Sequence, residues 1–129
     1  MDDAIHQEIT LKGKPQQVYD ALTDAKRFSQ FTGGAPAEIK AEAGGAFSLF
    51  GGAIEGRTVE LVPGQRLVQA WRVKAWDAGV YTIARFELKA HGGGTQVIFD
   101  QGGIPSGQRA HLDPGWHKMY WEPLQKYLG

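Results

Sequence analysis

Hydrophobic and polar residues alternate along the first eleven positions of the chain. Ile5, Ile9 and Leu11 alternate with polar residues such as His6 and Glu8. A period of two residues is typical of a strand that buries one face. The pattern therefore predicts a first strand that ends before the polar segment 12–14.

Two short helices are predicted after this strand. Pro15 suits the first position of a helix because it lacks an amide that would be unpaired there. Val18 and Leu22 then lie on the inner face of a helix that ends near residue 24, with Tyr19 beside them. The second helix is predicted over 25–31, where two phenylalanines would be buried and a glycine pair follows.

From residue 37 to about residue 101 the pattern predicts strands separated by short turns. Glycine and proline mark these turns, and short turns join neighbouring antiparallel strands. Together with the first strand the count is about seven, which favours a strongly curved sheet. The strands are predicted at 37–41, 45–50, 54–62, 66–73, 80–90 and 95–101.

The sequence over 113–128 predicts a long helix with an unusually broad apolar face. We expect a loop over 102–109, a weak helical turn over 106–112, a main helix that starts at Asp113 and Pro114, and a bend at Pro123. At about 100° per residue its apolar side chains cover an arc of roughly 200°, against about 100° for an ordinary amphipathic helix. These side chains are Leu112, Trp116, Met119, Tyr120, Trp121, Pro123, Leu124, Tyr127 and Leu128.

This order of elements predicts an α+β fold in which one curved antiparallel sheet of about six to seven strands wraps around the C-terminal helix. A chain of 129 residues is the right length for one domain, 1–129. No apolar run approaches the ~20 residues of a membrane span. The N-terminal segment lacks the features of a secretory signal, so a cytoplasmic location is expected.

Composition removes several function classes. Fourteen basic and fourteen acidic residues give zero formal charge, which argues against a nucleic-acid partner. There is no cysteine, and no serine lies in a GxSxG motif, so covalent catalysis is not favoured. The four histidines lack metal-binding spacing, and the glycine clusters lack the pattern of a phosphate loop. No metal and no cofactor are expected.

General acid or base chemistry needs no motif, because burial alone shifts a pKa. Arg72, Arg85, Glu87 and Asp100 lie in predicted strands and could face inward, although charged strand residues usually face solvent or pair with each other. His117 is expected at the edge of a groove. An enzyme that uses Asp100, Arg85 or His117 on a polyketide-like or ester substrate is therefore one reading.

Large aromatic side chains are numerous for a domain of this size. They suit a plain core, a ligand cavity or a protein interface, and the three readings stay open. We predict Trp76 and Trp121 as partner-binding residues. The predicted cavity-lining residues are Phe47, Leu49, Trp71, Phe86, Phe99, Trp116 and Tyr120.

The chain resembles the family of activators of the Hsp90 ATPase, within the START-like helix-grip superfamily. The resemblance rests on segments 15–24, 31–56, 61–88, 92–105 and 115–129, so it covers nearly the whole chain. Its most specific parts are LVPGQRLVQAWR at 61–72, GIP at 103–105 and GW at 115–116. The match is to the C-terminal domain of the eukaryotic co-chaperone.

The resemblance implies a helix-grip fold and no catalytic residues. It implies a non-catalytic domain that binds an Hsp90-type chaperone or another protein. Because other START-like proteins use the groove between sheet and helix for apolar molecules, a carrier or sensor of a small hydrophobic ligand is the alternative. The chain lacks the N-terminal domain of the full co-chaperone, so strong activation of Hsp90 is not expected.

Overall fold

A computed structural model describes residues 3–129, so Met1 and Asp2 of the predicted domain lie outside the described residues. Within this range the chain forms one antiparallel sheet of seven strands in the order β1-β7-β6-β5-β4-β3-β2. The first strand thus pairs with the last, and every other neighbour in the sheet is also a neighbour in sequence. The strands are β1 Asp3–Leu11, β2 Glu38–Ile39, β3 Ala46–Leu49, β4 Ile54–Val62, β5 Arg66–Val73, β6 Thr82–His91 and β7 Gly94–Ile104.

Two short helices follow β1, as the apolar spacing predicts. Helix α1 spans Pro15–Thr23 and α2 spans Ala25–Phe31, and the side chain of Asp24 caps α2 by accepting from the amide of Arg27. Phe28 is buried with the neighbouring phenylalanine of α2. The predicted α+β fold, with a curved antiparallel sheet around a long C-terminal helix, is confirmed.

The predicted bounds of β2 and the predicted end of β7 are wrong. The strand predicted at 37–41 is only two residues long, Glu38–Ile39, and it pairs at the edge of the sheet with β3 alone. The loop predicted from residue 102 begins later, because β7 continues to Ile104 along two partner strands. Strand β6 pairs with β7 as far as Gly102, and β1 pairs again at Ile104 after a register shift, so β7 runs through two glycines that the sequence pattern placed in the loop.

The C-terminal helix consists of α3 Arg109–Trp116, a π-helical turn His117–Trp121 and α4 Glu122–Leu128. It starts four residues before the predicted start at Asp113. Asp113 does not cap the helix, because its side chain and its backbone carbonyl accept hydrogen bonds from the amide of Gln7. Pro114 is accommodated inside the first two turns.

The π turn changes the interpretation of the broad apolar face. The amide of Glu122 donates to the carbonyl of His117, five residues earlier. Residues five apart therefore approach the same face, and the Trp116 and Trp121 rings stack with centroids 6.1 Å apart. The predicted arc of roughly 200° was calculated for regular α-helical rotation, which the π turn interrupts. The predicted apolar face also included Met119 and Tyr127, which are 46% and 41% exposed. The turn ends two residues before Pro123, which cannot donate a backbone hydrogen bond.

The core lies between the inner face of the sheet and the C-terminal helix. Strand β7 supplies Val97 and Phe99, both fully buried, and the helix supplies Trp116, Tyr120 and Leu124. Phe99 and Trp116 are in direct ring contact, with centroids 4.2 Å apart. The helix is thus held in place by aromatic contacts that cross from sheet to helix.

Candidate functional site

A cavity of about 250 Å³ opens between the C-terminal helix and strands β4 and β5. We call it the helix–sheet cavity. Its walls are almost entirely apolar, and the 3-10 turn Phe50–Gly52 adds the ring of Phe50 at one side. Its principal lining residues are Ile54, Trp71 and Val73 from the sheet and Leu112, Trp116 and Tyr120 from the helix.

Aromatic rings form one continuous wall of the cavity. The centroids of Trp71 and Trp116 are 5.2 Å apart, and those of Trp116 and Tyr120 are 4.4 Å apart. Phe50 meets Tyr120 edge to face at 5.8 Å. Two further residues, the exposed His111 and Met119, lie on the helix at the border of the cavity. The site is therefore a largely apolar recess with solvent access beside the helix.

Two residues of this wall carry buried polar atoms that do not face the cavity. The indole nitrogen of Trp71 and the hydroxyl of Tyr120 have no hydrogen-bond partner in the described part of the chain. Burial raises the pKa of Tyr120 far above its ordinary value, so the hydroxyl keeps its proton. The neighbouring Trp71 indole opposes part of this rise in pKa.

Trp116 is held by a chain of hydrogen bonds that begins behind the cavity. Its indole nitrogen donates to Gln101 Oε1 at 2.8 Å, and Gln101 Nε2 donates to Thr82 Oγ1 at 3.0 Å. Thr82 in turn donates to the backbone carbonyl of Trp71 at 2.7 Å. This chain joins β5, β6, β7 and the helix, so it fixes the aromatic wall from the sheet side.

The structure brings three of the seven predicted cavity residues together: Trp71, Trp116 and Tyr120 line the cavity. Whether they bind a ligand stays a prediction. Ile54 and Leu112 also line the cavity without having been predicted to do so, and apolar spacing is the signal that could have indicated them. The other four predicted residues are buried in the core away from the cavity lining: Phe47, Leu49, Phe86 and Phe99.

The two tryptophans predicted to bind a partner lie in different environments. Trp121 is 3% exposed, and its indole nitrogen donates to Gln7 at 2.7 Å. Trp76 is half-buried in the turn region after β5, where its indole nitrogen donates to Gln108 at 3.3 Å. Of the two, Trp76 is therefore the one with surface available to a partner.

The charged residues proposed for acid or base chemistry lie away from the cavity lining. On the outer face of the sheet, Arg85 Nη2 contacts Asp100 Oδ2 at 3.2 Å and Glu87 lies beside Arg85. Arg72 is buried, but it is bonded to Glu55 Oε2 at 2.6 Å and to backbone carbonyls. His117 is exposed.

Within residues 3–129 no group of three or more histidine, cysteine, aspartate or glutamate side chains could hold a metal ion. In the same range no helix is long and apolar enough to cross a membrane.

The fold and the cavity define a START-like helix-grip domain, an α+β protein whose curved sheet holds a C-terminal helix. The family model "Activator of Hsp90 ATPase homolog 1-like protein" matches residues 12–129, and the chain belongs to this family.

Curated relatives of the chain include activators of the Hsp90 ATPase. The activator of 90 kDa heat shock protein ATPase homolog 1 from Homo sapiens is 29% identical over 126 residues, covering 95% of this chain and 37% of the human protein. The homolog from Dictyostelium discoideum is 32% identical over 105 residues, covering 81% and 27%. The chain thus spans about a third of the length of these relatives.

Two solved structures illustrate the range of proteins with this fold. An Hsp90 activator from Plasmodium falciparum superposes with a TM-score of 0.89 at 25% identity, covering all of this chain and 96% of that one. A protein of the dynemicin biosynthetic locus superposes with a TM-score of 0.82 at 20% identity, covering 99% of this chain and 48% of that one. The second likeness concerns the fold alone.

Proposed function

We propose that this chain is a non-catalytic binding domain that contacts an Hsp90-type chaperone and modulates its ATP turnover. The observation that carries the proposal is its correspondence, over 95% of its length, to a protein named for activating the Hsp90 ATPase. The Plasmodium activator supports it, because that chain is covered almost completely by a domain of this size.

The chemistry of the cavity agrees with action by contact. Within residues 3–129, the titratable groups that line it are the exposed His111 and the protonated Tyr120. An acid and a base with separated pKa values are the usual sign of proton-transfer catalysis, and the lining carries no carboxylate. We therefore place the modulating activity in the binding of a protein surface, with Trp76 as the first candidate contact.

The test uses the purified chain and the Hsp90 of its source organism. We expect binding in titration calorimetry and a change in the steady-state rate of ATP hydrolysis. Trp76→Ala should weaken binding by about tenfold if Trp76 is an anchor at the interface, whereas Trp76→Phe should retain much of the affinity. Absence of binding together with an unchanged ATPase rate would disprove the proposed function.

A second candidate function, a carrier or sensor of a small hydrophobic ligand, is favoured by the helix–sheet cavity. Its 250 Å³ lies just below the ~300–1,000 Å³ of common ligand pockets. It exceeds the ~150 Å³ in which an apolar cavity binds benzene. The size therefore suits a compact molecule better than a lipid chain.

A cavity-filling variant tests this second function. Gly115 lines the cavity, and a Cβ placed there would have no atom within 4 Å. Gly115→Leu should fill the cavity and abolish the thermal shift produced by small aromatic compounds. Ala110→Leu, at an exposed position of the same helix, is the matched control. Equal shifts in the two variants would exclude the cavity as the binding site.

A further inference from the structure

We propose that a second copy of this chain pairs with the free edge of β1, so that the two sheets join into one continuous antiparallel sheet around a twofold axis. The residues that carry this contact are His6 and Glu8, with Thr10 beyond them. The proposal goes beyond the proposed function, because neither the chaperone contact nor the cavity ligand assigns a role to this edge.

The two edges of the sheet differ in length. Within residues 3–129, one edge is β2, which is two residues long, and the other is β1, which is nine residues long and pairs with β7. Proteins usually protect a long edge with proline, lysine or a bulge. Between Ile5 and Leu11 there is no proline and no lysine, and the register against β7 is regular. Such a strand offers its unpaired backbone groups to another strand.

The hairpin of β6 and β7 shows which backbone groups of β7 point toward β6. A two-residue turn at 92–93 joins these strands, and both of its glycines have positive φ. A turn of this kind is closed by a hydrogen-bonded pair, here His91 and Gly94. In agreement, the amide of Leu88 points to the opposite side of β6 and donates to Gln65. Every second residue of β7 from Gly94 onward therefore bonds to β6.

The alternate residues of β7 bond to β1, and this leaves the other half of β1 free. Their partners in the register are Ile5, Gln7, Ile9 and Leu11. The backbone amides and carbonyls of His6, Glu8 and Thr10 consequently point away from the sheet. Within residues 3–129, no backbone group outside the sheet bonds to them. A second β1 strand can satisfy these groups.

Charge selects one register for the second copy. A twofold axis at Gln7 sets His6 of each copy opposite Glu8 of the other, so the contact occurs twice. The hydrogen bonds to Asp100 and Glu8 raise the pKa of His6, which favours its charged form. The four side chains at the axis then alternate in charge, and opposite charges at facing positions stabilise strand pairing. An axis at His6 or at Glu8 would instead set two like groups opposite each other.

The inner face of the strand pair favours the same register. With the axis at Gln7, Ile9 of one copy lies opposite Ile5 of the other. Ile5 is buried, whereas Ile9 is only half-buried and packs at the border of the core. Pairing covers the exposed part of Ile9, and removing apolar surface from water is favourable.

The first experiment measures the monomer–dimer equilibrium by sedimentation velocity at increasing protein concentration. We expect the wild-type chain to form dimers in the micromolar range. His6→Glu sets two pairs of carboxylates opposite each other, and Glu8→Lys sets two pairs of basic groups opposite each other. Each variant should raise the dissociation constant by about tenfold, because symmetry reverses two contacts at once.

An equal mixture of the two variants tests the register. In the mixed dimer the introduced glutamate faces the introduced lysine, and His6 of one chain faces Glu8 of the other. We therefore expect the mixture to dimerise at least as tightly as the wild-type chain. Lys89→Glu is the control, because it changes the charge at an exposed position of β6 away from the edge. It should leave the dissociation constant unchanged.

The second experiment locates the contact by amide hydrogen exchange, measured by NMR at low and high protein concentration. The amides of His6, Glu8 and Thr10 should gain protection as dimers form. Those of Gln7 and Ile9 should be protected at every concentration, because they already bond to β7. The same spectra show whether each charge variant is folded.

The outcomes are distinct. A chain that stays monomeric at every concentration overturns the proposal, and so does a dimer that neither charge variant weakens. Protection of the three edge amides that appears only after an Hsp90 is added would also overturn it, since the edge would then belong to that partner. None of these results decides whether the chain modulates a chaperone, which is measured separately.

Discussion

Gln101 shows how much the site depends on a single buried amide. It is 1% exposed, and its two polar atoms join Trp116 of the helix to Thr82 of β6. Gln7 on β1 has a similar role, since it accepts from Trp121 and donates to Asp113, on either side of Trp116 along the helix. Glutamine is mostly exposed in proteins, so neither burial could be predicted from residue type.

Removing the Gln101 amide should destabilise the protein strongly. In Gln101→Leu the indole N–H of Trp116 becomes a buried donor without a partner, and an unsatisfied buried group costs about 1–3 kcal/mol. We expect a loss of about 2–3 kcal/mol in the free energy of unfolding, measured with urea.

Gln96→Leu is the matched control on the same strand. Gln96 is half-buried and its amide contacts Glu8 at 3.3 Å. Surface substitutions of this kind usually change stability by about 0.5 kcal/mol or less. If Gln101→Leu and Gln96→Leu are equally stable, the hydrogen-bond chain behind the cavity does not have the importance that we assign to it.

In β4, the close packing of the neighbouring strands requires a glycine at position 56. Gly56 faces Phe47 on β3 and Trp71 on β5 in the strand register. A Cβ at this position would lie 1.9 Å from the carbonyl oxygen of Ala70 and 2.7 Å from the Phe47 ring. The close approach of β5 to β4, and with it the position of Trp71 in the cavity wall, requires a glycine here.

Gly56→Ala should therefore separate the strands locally. We expect a loss of about 2–3 kcal/mol in the free energy of unfolding, the usual range for overpacking, with a change in Trp71 fluorescence. Gly102→Ala is the control, because a Cβ at Gly102 on β7 meets no atom within 4 Å. That variant should be neutral or slightly more stable. A similar loss in both variants would mean that steric contact is not the cause.

At the scale of the whole molecule, the sheet is completed by pairing of the first and last strands. Ile5 pairs with Gln101 and Leu11 with Thr95 across most of the chain length. An exposed polar cluster lies over this junction: His6 Nδ1 contacts Asp100 Oδ1 at 2.6 Å, and His6 Nε2 contacts Glu8 Oε2 at 2.9 Å. The junction thus contributes a pH-dependent part of the stability.

The directions of the pKa shifts of His6 and Asp100 define the pH range in which each group stabilises the fold. The hydrogen bond to Asp100, followed by the one to Glu8, raises the pKa of His6 above its usual 6.5. Its stabilisation is complete below pH about 6.5 and is lost as the pH rises through the higher folded-state pKa. Burial raises the pKa of Asp100, but hydrogen bonds from His6 and Arg85 outweigh it and lower the pKa overall. That contribution is present at neutral pH and is lost in acid, as the pH falls through the lowered pKa.

His6→Gln should remove the first of these contributions. We expect the wild-type chain to be more stable than the variant near pH 6 and the difference to shrink as the pH rises to about 9, in urea titrations at several pH values. Asp100→Asn should reduce the same pH dependence because it removes the main partner. A wild-type advantage that does not change with pH would exclude His6 as its source.

Short-range features of the sequence determined the elements of this protein. The spacing of Val18, Leu22 and Phe28 placed both short helices, since helical periodicity and proline or glycine signals act over a few residues. Alternation and glycine turns gave the strands, and with them the α+β fold. The aromatic face of the C-terminal helix was also evident, with Trp116 and Tyr120 at helical spacing.

Only the tertiary structure decided which side chains form the site. The hydrogen bond from Trp121 to Gln7 joins residues 114 positions apart, and no local pattern carries that pairing. The start of the helix before Asp113 and its π turn depend on packing against β1 and β7, which overrides local capping and rotation rules. The cavity beside Trp71 is lined by residues of β4, β5, the 3-10 turn and the helix, so it depends on how segments distant in sequence pack together.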